Sequence, residues 1–365
     1  MIIRDTPPIR GNIVSDESLE MAIRQRALMP RPTCLQWLQA LGTRWLSGDA
    51  SRWSNGAFVA SELELHLGAG GHSFTDTGDC LALSPNGQTL AAASQTASGI
   101  PVICTYASLA GKMLQLIEGH TAPVRCVAVG EDFLASGSED DTVRLWALSS
   151  GRCLAVLEGH IAAVIGLALA GDVLVSGSDD STVRIWSTHE MQCLHVLTGH
   201  VGTVHGIAIG AACVVSAGMD GTARLWPLER TQSRVAILLH PELPAARPNA
   251  VLSVSVEDNL VATGAEDGVV RTWDLTTSKI TRELRGHVGK VTSVRLHGKL
   301  LVSSALGDQT MRLWSLASPE GDCLTVIDAG LTVQGLAISP LGFVASVGIT
   351  DSAAPGGKLV IWRPI

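Results

Sequence analysis

Histidine, serine and aspartate recur in this 365-residue chain in sets whose composition is that of a hydrolytic triad. In each set the histidine belongs to a Gly-His pair, and a serine and an aspartate lie ten and six positions before a tryptophan. The four sets are His120–Ser136–Asp140–Trp146, His160–Ser176–Asp180–Trp186, His200–Ser216–Asp220–Trp226 and His287–Ser304–Asp308–Trp314. An enzyme needs one such site. Four copies instead predict a structural network in which buried polar groups satisfy each other.

The sets repeat along the chain with a period near 40 residues. His120, His160 and His200 are 40 residues apart, and His287 lies 87 residues after His200. His240 divides that last gap into steps of 40 and 47 residues and predicts a degenerate fifth unit. That unit keeps a hydroxyl, an aspartate and a tryptophan at the same offsets, namely Thr263, Asp267 and Trp273.

The elements that must position these side chains are short β-strands. After His120 the chain reads VRCVAV, FLASGS, the acidic turn EDD, TVRLWAL, the turn SSG and CLAVLEG. These are alternating, β-branched runs separated by turn residues, which predicts four strands in each unit. A four-stranded unit of about 40 residues is typical of one propeller blade.

The pattern SGS-D-TVRLW with its upstream Gly-His resembles the WD-repeat (WD40) β-propeller family over about four-fifths of the chain. The central segments CL-x-VL-x-GH and LVSGS-D-TVRIW are most similar to those of F-box and related ubiquitin-ligase propellers. The resemblance implies an all-β, seven-bladed propeller. It also implies that each His, hydroxyl, Asp and Trp set is hydrogen-bonded within its blade.

Two further blades complete the predicted ring. Before His120, CLALSPNGQTLAAAS and VICTY read as strands in which Tyr106 replaces tryptophan, and GLAISPLGFVASVG and KLVIW read as a last blade ending at Trp362. That last blade lacks a fourth strand, so we expect 60–68 (ASELELHLG) to pair with it and to close a seven-bladed domain over 57–365. Six blades with a separate hairpin is the alternative.

Residues 1–56 are predicted to form an N-terminal extension, flexible at first and then helical. Segments 15–29 and 33–46 each suit a helix, and Thr33 with Gln36 forms a capping-box pattern in the second. We expect a helix packed on the side of the propeller. The alternative is an F-box-like helix pair that recruits a ubiquitin-ligase core, although the extension lacks the Leu-Pro opening of an F-box.

The family resemblance also implies where partners bind. In such propellers binding side chains follow the repeat histidine by four or five positions or directly precede the turn aspartate. The first group is Arg125, Ile165, His205, Leu252, Thr292 and Gln334, and the second is Glu139, Asp179, Met219, Glu266 and Gly307, with Lys290 nearby. This mixed rim lacks the arginine cluster of a phospho-motif reader and suits a short peptide with a basic residue and an apolar anchor. An ordinary solvated rim is the alternative.

Composition limits the other classes of function. The chain is 46% hydrophobic and 16% charged, which is too apolar for a disordered protein, and its net charge of −8 disfavours direct nucleic-acid binding. No apolar run approaches the length of a membrane span. The eight cysteines include no CxxC pair, so neither a metal site nor a cofactor is expected. We expect an intracellular protein, cytoplasmic with the nucleus as the alternative.

These observations predict a non-catalytic scaffold or adaptor that binds partner proteins or peptides on one face of the propeller. Substrate recognition for a ubiquitin ligase is the first alternative, and an enzyme is a remote one. Because architecture underdetermines function, the partner is not specified by the repeats.

Overall fold

The computed structural model describes residues 58–64, 80–96, 98–228, 236–244, 247–317, 321–340, 343–349 and 357–364. The predicted extension 1–56, with its flexible segment and its two helices, lies outside them. The described residues form 28 β-strands in seven four-stranded sheets. The described residues therefore form an all-β, seven-bladed propeller, as expected, and the six-bladed alternative is wrong.

Six blades each take four consecutive strands, with the first strand innermost, and the seventh blade combines the first strand of the chain with the last three. In chain order the strands are β1 (Phe58–Glu64); β2 (Leu81–Leu83), β3 (Thr89–Gln95), β4 (Pro101–Ala107) and β5 (Lys112–Glu118) of blade 1; β6 (Val124–Val129), β7 (Phe133–Ser138), β8 (Val143–Ala147) and β9 (Cys153–Leu157) of blade 2; β10 (Val164–Ala170), β11 (Val173–Ser178), β12 (Val183–Ser187) and β13 (Gln192–Leu197) of blade 3; β14 (Val204–Ile209), β15 (Cys213–Gly218), β16 (Thr222–Pro227) and β17 (Ala236–Leu239) of blade 4; β18 (Val251–Glu257), β19 (Leu260–Ala265), β20 (Val270–Asp274) and β21 (Lys279–Leu284) of blade 5; β22 (Lys290–His297), β23 (Leu300–Leu306), β24 (Thr310–Ser315) and β25 (Asp322–Asp328) of blade 6; and β26 (Thr332–Ser339), β27 (Phe343–Ile349) and β28 (Gly357–Pro364) of blade 7.

The hydrophobic core lies between neighbouring blades. The innermost strands contact one another around the ring, from β2 through β26 and back to β2. Each buried tryptophan packs against the preceding blade: Trp146 of blade 2 lies in a cluster with Ile103 and Ile117 of blade 1. Trp186 lies likewise among residues of blade 2. Each blade thus covers an apolar face that its neighbour leaves open, which is why the repeats need one another.

Blade 7 joins the two ends of the described chain. β1 pairs antiparallel with β28, from Phe58 opposite Pro364 to Glu64 opposite Lys358. The closing strand predicted at 60–68 thus starts two residues earlier, and residues 65–68 lie outside the described residues. Backbone hydrogen bonds between distant segments therefore close the ring. The domain boundary at residue 57 stays a prediction.

Blades 5 and 6 are joined by side-chain hydrogen bonds that the sequence reasoning missed. The hydroxyls of Ser253 and Ser255 on β18 accept from the backbone N–H groups of Val294 and Leu296 on β22, both at 3.0 Å. The Glu257 carboxylate accepts from the backbone N–H of Gly298 at 2.8 Å. Ser253, Ser255 and Glu257 alternate with apolar residues in VLSVSVE, and this alternation was the signal for the contact.

The closing strand can be tested by comparing two deletions. Deletion of residues 1–64 removes β1, whereas deletion of residues 1–57 keeps it. We expect the larger deletion to melt at a lower temperature, because blade 7 loses backbone hydrogen bonds worth about 1 kcal/mol each. Calorimetry gives the melting temperatures, and amide hydrogen exchange at Gly357–Pro364 should be faster in the larger deletion alone. Equal melting and exchange in the two proteins would contradict closure by β1.

Candidate functional site

The polar set in blade 2 forms a continuous chain of hydrogen bonds. The Trp146 indole Nε1 donates to Ser136 Oγ at 2.8 Å, and Ser136 Oγ lies 2.7 Å from His120 Nε2. His120 Nδ1 lies 2.8 Å from Asp140 Oδ2. Because a carboxylate can only accept, His120 donates through Nδ1 and accepts the serine proton at Nε2. Every donor in this chain has an acceptor, and we call the set a staple.

The staple recurs in blades 3 and 4 as the sequence predicted. His160 Nδ1 lies 2.7 Å from Asp180 Oδ2, and His200 Nδ1 lies 3.0 Å from Asp220 Oδ2. In both blades the histidine Nε2 is 2.7 Å from the serine Oγ, and the indole Nε1 is 2.8 Å from it. The serines are Ser176 and Ser216, and the indoles are those of Trp186 and Trp226.

The aspartate ties the turn that precedes the blade to the turn between its second and third strands. Asp140 also accepts from the backbone N–H of Thr121 at 3.0 Å and from the Thr142 hydroxyl at 2.6 Å. Burial raises the pKa of Asp140, but the hydrogen bonds from His120 and Thr142 lower it more. The pKa of this carboxyl therefore lies well below its usual range, and the group stays ionised. Burial lowers the pKa of His160, which favours the neutral imidazole that the chain of donors requires.

These sets do not operate as hydrolytic triads. The bonded serines of blades 2, 3 and 4 are 0% exposed, and each hydroxyl oxygen already accepts an indole N–H. A nucleophile must reach its substrate, and these hydroxyls are closed off by the packed blades. The structure supports the predicted structural role of the repeated residues.

In blade 6 the predicted serine is wrong by one position. His287 Nε2 and Trp314 Nε1 both lie 2.8 Å from the hydroxyl of Ser303, not from that of Ser304. Ser303 pairs with Arg312 in the ladder, nine residues away, whereas Ser136 pairs with Arg144 eight residues away. The turn between β23 and β24 is thus one residue longer, so counting back from the tryptophan failed. Counting 16 residues forward from the histidine finds the bonded serine in all four staples.

Blade 5 keeps half of the staple and replaces the rest with an arginine. Trp273 Nε1 donates to Thr263 Oγ1 at 2.8 Å, as expected. Asp267, however, pairs with Arg271, whose Nη2 lies 2.6 Å from Asp267 Oδ2. Arg271 is only 1% exposed and also contacts Glu283 at 3.0 Å. Two carboxylates therefore hold a buried guanidinium, and Asp267 bonds this guanidinium instead of the repeat histidine.

His240 consequently sits beside a positive charge. Its Nδ1 lies 3.4 Å from Arg271 Nη1, so Nδ1 accepts and Nε2 carries the proton. That Nε2 is buried without a hydrogen-bond partner. Burial, together with the charge of Arg271, lowers the pKa of His240 to about 3. The degenerate repeat start is thus a neutral packing residue, and its ring centroid lies 5.2 Å from that of Trp273.

The end blades lack a complete staple among the described residues. In blade 1, Tyr106 pairs with Leu90 as Trp146 pairs with Leu134, which confirms that Tyr106 takes the tryptophan position. In blade 7, Trp362 Nε1 donates to Ser346 Oγ at 2.8 Å.

The glycine of each Gly-His pair leaves room for an arginine, and in blades 2, 3 and 4 also for a tryptophan. Gly119 has a φ of 154°, and a Cβ there would lie 2.8 Å from Trp146 Cη2 and 3.2 Å from Arg144 Nη1. The arginines two positions before the tryptophans are half-buried against these glycines, and they are Arg144, Arg184, Arg224 and Arg312. Each contacts its own blade, so they do not form a stripe for nucleic acid.

The staples also show which loops share a face. The His120–Asp140 bond brings the β5–β6 connection and the β7–β8 connection to one end of blade 2. We call this end of the blades the top face. Near the start of the innermost strand the ladder skips one residue in six blades, which marks a β-bulge. The skipped residues are Arg125, Ile165, His205, Leu252, Thr292 and Gln334, the first group of predicted binding residues.

The two predicted groups differ in exposure. Of the bulge residues, four are buried and two are half-buried; the buried ones are Ile165, His205, Leu252 and Thr292. Of the residues before the turn aspartates, Glu139, Asp179, Met219 and Gly307 are exposed and Glu266 is half-buried. Lys290 is also exposed. A large partner would therefore meet the second group first, and its role stays a prediction.

Two of the three predicted rim acids are neutralised within the propeller. Glu139 Oε1 lies 3.0 Å from Arg125 Nε. Glu266 lies between two cations, 2.7 Å from Lys290 Nζ and 2.9 Å from Arg247 Nη1, and the hydrogen bond from Lys290 lowers its pKa. The rim is therefore less acidic than its residue types imply.

The cavity on the opposite face and the remaining side chains of the described residues do not indicate a catalytic or metal-binding site. On the face opposite the top, the innermost strands line a cavity of about 320 Å³, where Arg295 donates to the carbonyl of Val294 at 2.8 Å. Within the described ranges, no group of three or more His, Cys, Asp or Glu residues could hold a metal ion. Nor does any helix there have the length and apolar character of a membrane span.

The correction in blade 6 yields a paired test. Replacing Ser303 with Ala should orphan His287 and the Trp314 indole, and lower the free energy of unfolding by about 1–3 kcal/mol. Replacing Ser304 with Ala removes a buried hydroxyl that has no hydrogen-bond partner, so stability should be unchanged or slightly higher. Urea unfolding of both variants measures the difference, and a larger loss for Ser304→Ala would overturn the assignment.

The buried His240 predicts a pH dependence of stability. Its pKa is near 6.5 in an unfolded chain and about 3 in the folded protein. The unfolded state therefore binds more protons below pH 6.5, and the free energy of unfolding should fall by about 1.4 kcal/mol per pH unit as pH drops. His240→Gln should lack this part of the slope.

Urea unfolding between pH 7 and 4.5 measures it, with the exposed His189→Gln as the matched control. If His240→Gln keeps the wild-type slope, a neutral buried imidazole at this position is ruled out.

Comparisons with known proteins agree with the repeat structure. The family model "WD domain, G-beta repeat" matches five times, at residues 111–147, 151–187, 191–227, 243–274 and 278–315. Transducin beta-like protein 3 of Bos taurus is 35% identical over 118 residues, which is 32% of this chain and 14% of that protein. Pre-mRNA-processing factor 19 of Mus musculus is 39% identical over 88 residues, 24% of this chain and 17% of that protein. The chain therefore matches only a small part of these relatives' length.

A solved structure of U3-55K superimposes with a TM-score of 0.70 and 23% identity, over 84% of this chain and 98% of that one. That likeness concerns the fold alone. None of these matches supports the finer resemblance to ubiquitin-ligase propellers. Five repeat matches, four staples and seven closed blades together place this chain in the WD-repeat β-propeller family.

Proposed function

We propose that this chain is a non-catalytic protein-interaction scaffold whose partners dock on the top face of the propeller. The observation that carries the proposal is the separation of roles among the polar residues. The His, Ser and Asp residues that could act in catalysis are buried in the staples, whereas the residues before the turn aspartates are exposed on a rigid frame. Exposed loops on a rigid scaffold are where binding residues concentrate.

The partner is proposed to be a protein or peptide. The chain carries a net charge of −8, and the repeated arginines lie against their own glycines and tryptophans, which disfavours direct binding of a nucleic-acid backbone. The name of pre-mRNA-processing factor 19 favours the nucleus over the predicted cytoplasm.

The ubiquitin-ligase alternative gains no support from the comparisons, and its F-box-like module is untested. It depended on an F-box-like module within 1–56, which lies outside the described residues, and on a repeat likeness that the comparisons do not show.

The top face can be tested by charge reversal on opposite faces. Asp179→Lys with Glu266→Lys changes the top face, and Glu131→Lys with Asp132→Lys makes the same charge change on exposed residues of the β6–β7 turn. Partners crosslinked to the tagged wild type in a native extract are identified by mass spectrometry. We expect the first pair to lose these partners and the second to retain them. Melting temperatures check that both double variants remain folded, because Glu266→Lys also removes the ion pairs with Lys290 and Arg247. Equal retention by both would refute docking on the top face.

A further inference from the structure

Two adjacent blades display large aliphatic side chains on the top face. Ile161 and Val201 each follow a staple histidine and are 84% and 77% exposed. Their backbone N–H groups donate to the staple carboxylates of Asp180 and Asp220, at 3.2 and 3.1 Å. The staples therefore fix the backbone of Ile161 and Val201, while the side chains of both residues are exposed to solvent. Burying these side chains against a partner would remove apolar surface from water and so stabilise the complex.

The two side chains belong to one continuous surface. The backbone N–H of Gly202, next to Val201, donates to Ser181 Oγ of blade 3 at 3.1 Å. A Cβ on Gly202 would lie 3.6 Å from Met219 Cβ, and Met219 is 45% exposed. Blade 3 adds Asp179, whose backbone N–H donates to the carbonyl of Ala163 at 3.0 Å. We call Ile161, Asp179, Val201 and Met219 the blade 3–4 patch.

Charge distinguishes this patch from the rest of the top face. Glu139 and Glu266 are paired with cations of the propeller, but the exposed Asp179 has no ion-pair partner among the described residues. Blade 6 carries the equivalent aliphatic residue, Val288, which is 90% exposed but lies two residues from the exposed Lys290. An unneutralised acid beside aliphatic side chains therefore marks blades 3 and 4. Its complement is a cation next to an apolar group.

We propose that the blade 3–4 patch binds a peptide segment of a partner protein that carries an arginine or lysine next to an apolar side chain. The basic side chain pairs with Asp179, and the apolar one packs among Ile161, Val201 and Met219. This rests on the proposed function, because it supplies the binding site and the peptide chemistry for a scaffold. An acid without an ion-pair partner in the patch also disfavours phosphopeptides and nucleic-acid phosphates, which would meet repulsion.

A random 12-residue peptide library displayed on phage provides the probe. Selection on the full-length wild type should enrich peptides with a basic residue next to a large apolar residue. Selection on Asp179→Lys should enrich acidic peptides instead, because the charge within the patch is reversed. A selected basic peptide, labelled with a fluorophore, then gives affinities by anisotropy.

The variants separate the patch from its surroundings. Asp179→Asn and Ile161→Glu should each weaken the peptide by about tenfold, equivalent to about 1.4 kcal/mol. Val288→Glu is the matched control, since Val288 also follows a staple histidine, and its backbone N–H also donates to the staple aspartate. It should leave affinity unchanged. Melting temperatures check that all variants fold.

The outcomes distinguish failure of the blade 3–4 patch from failure of the scaffold function. Enrichment of acidic peptides by the wild type, or basic peptides that respond to Val288→Glu and not to Ile161→Glu, would overturn the patch and leave the scaffold function standing. If the wild type enriches no peptide and crosslinked partners also fail to map to the top face, both proposals fall.

Discussion

A directed chain of hydrogen bonds from indole to hydroxyl to imidazole to carboxylate is the interaction on which the rest of the propeller depends. Each blade is a small sheet with too little surface to form a core of its own. The staple joins the turn that precedes the blade, and the turn between its second and third strands, to side chains on those two strands. In this series of hydrogen bonds each proton has one acceptor, so the buried polar groups of the staple are satisfied together. Loss of one member orphans its neighbours, which explains why the set recurs as a unit.

Where the staple is incomplete, other interactions join the blades. Blade 5 uses a buried guanidinium between two carboxylates, and its innermost strand reaches blade 6 through serine hydroxyls. Blade 7 has a tryptophan-to-serine bond and is closed by a strand from the other end of the chain. Each substitute satisfies buried polar groups or pairs an open strand edge, so the same physical demand is met by different residues.

The pairing of polar groups within the propeller also limits which residues are available to bind a partner. Residues with catalytic potential are enclosed by packing, and two rim acids are neutralised by cations of the propeller. What remains for partners is a top face whose charge differs between sectors. The acidic and aliphatic patch on blades 3 and 4 faces solvent, while cations surround Glu266 between blades 5 and 6. We propose that specific binding depends on this asymmetry rather than on the repeat itself.

The sequence by itself determined the repeat, the strand order, the tyrosine in blade 1, the degenerate start at His240 and the need for a closing strand, because strand alternation and turn residues are local properties. Only the tertiary structure decided which serine bonds His287, since one added turn residue changes the cross-strand register without changing the pattern. It also decided that Ile165 and Leu252 are buried while Ile161 is exposed, and that Glu139 is paired while Asp179 is not. Exposure and ion pairing depend on side chains brought together by neighbouring strands and blades, and the spacing of residues along one blade does not contain that information.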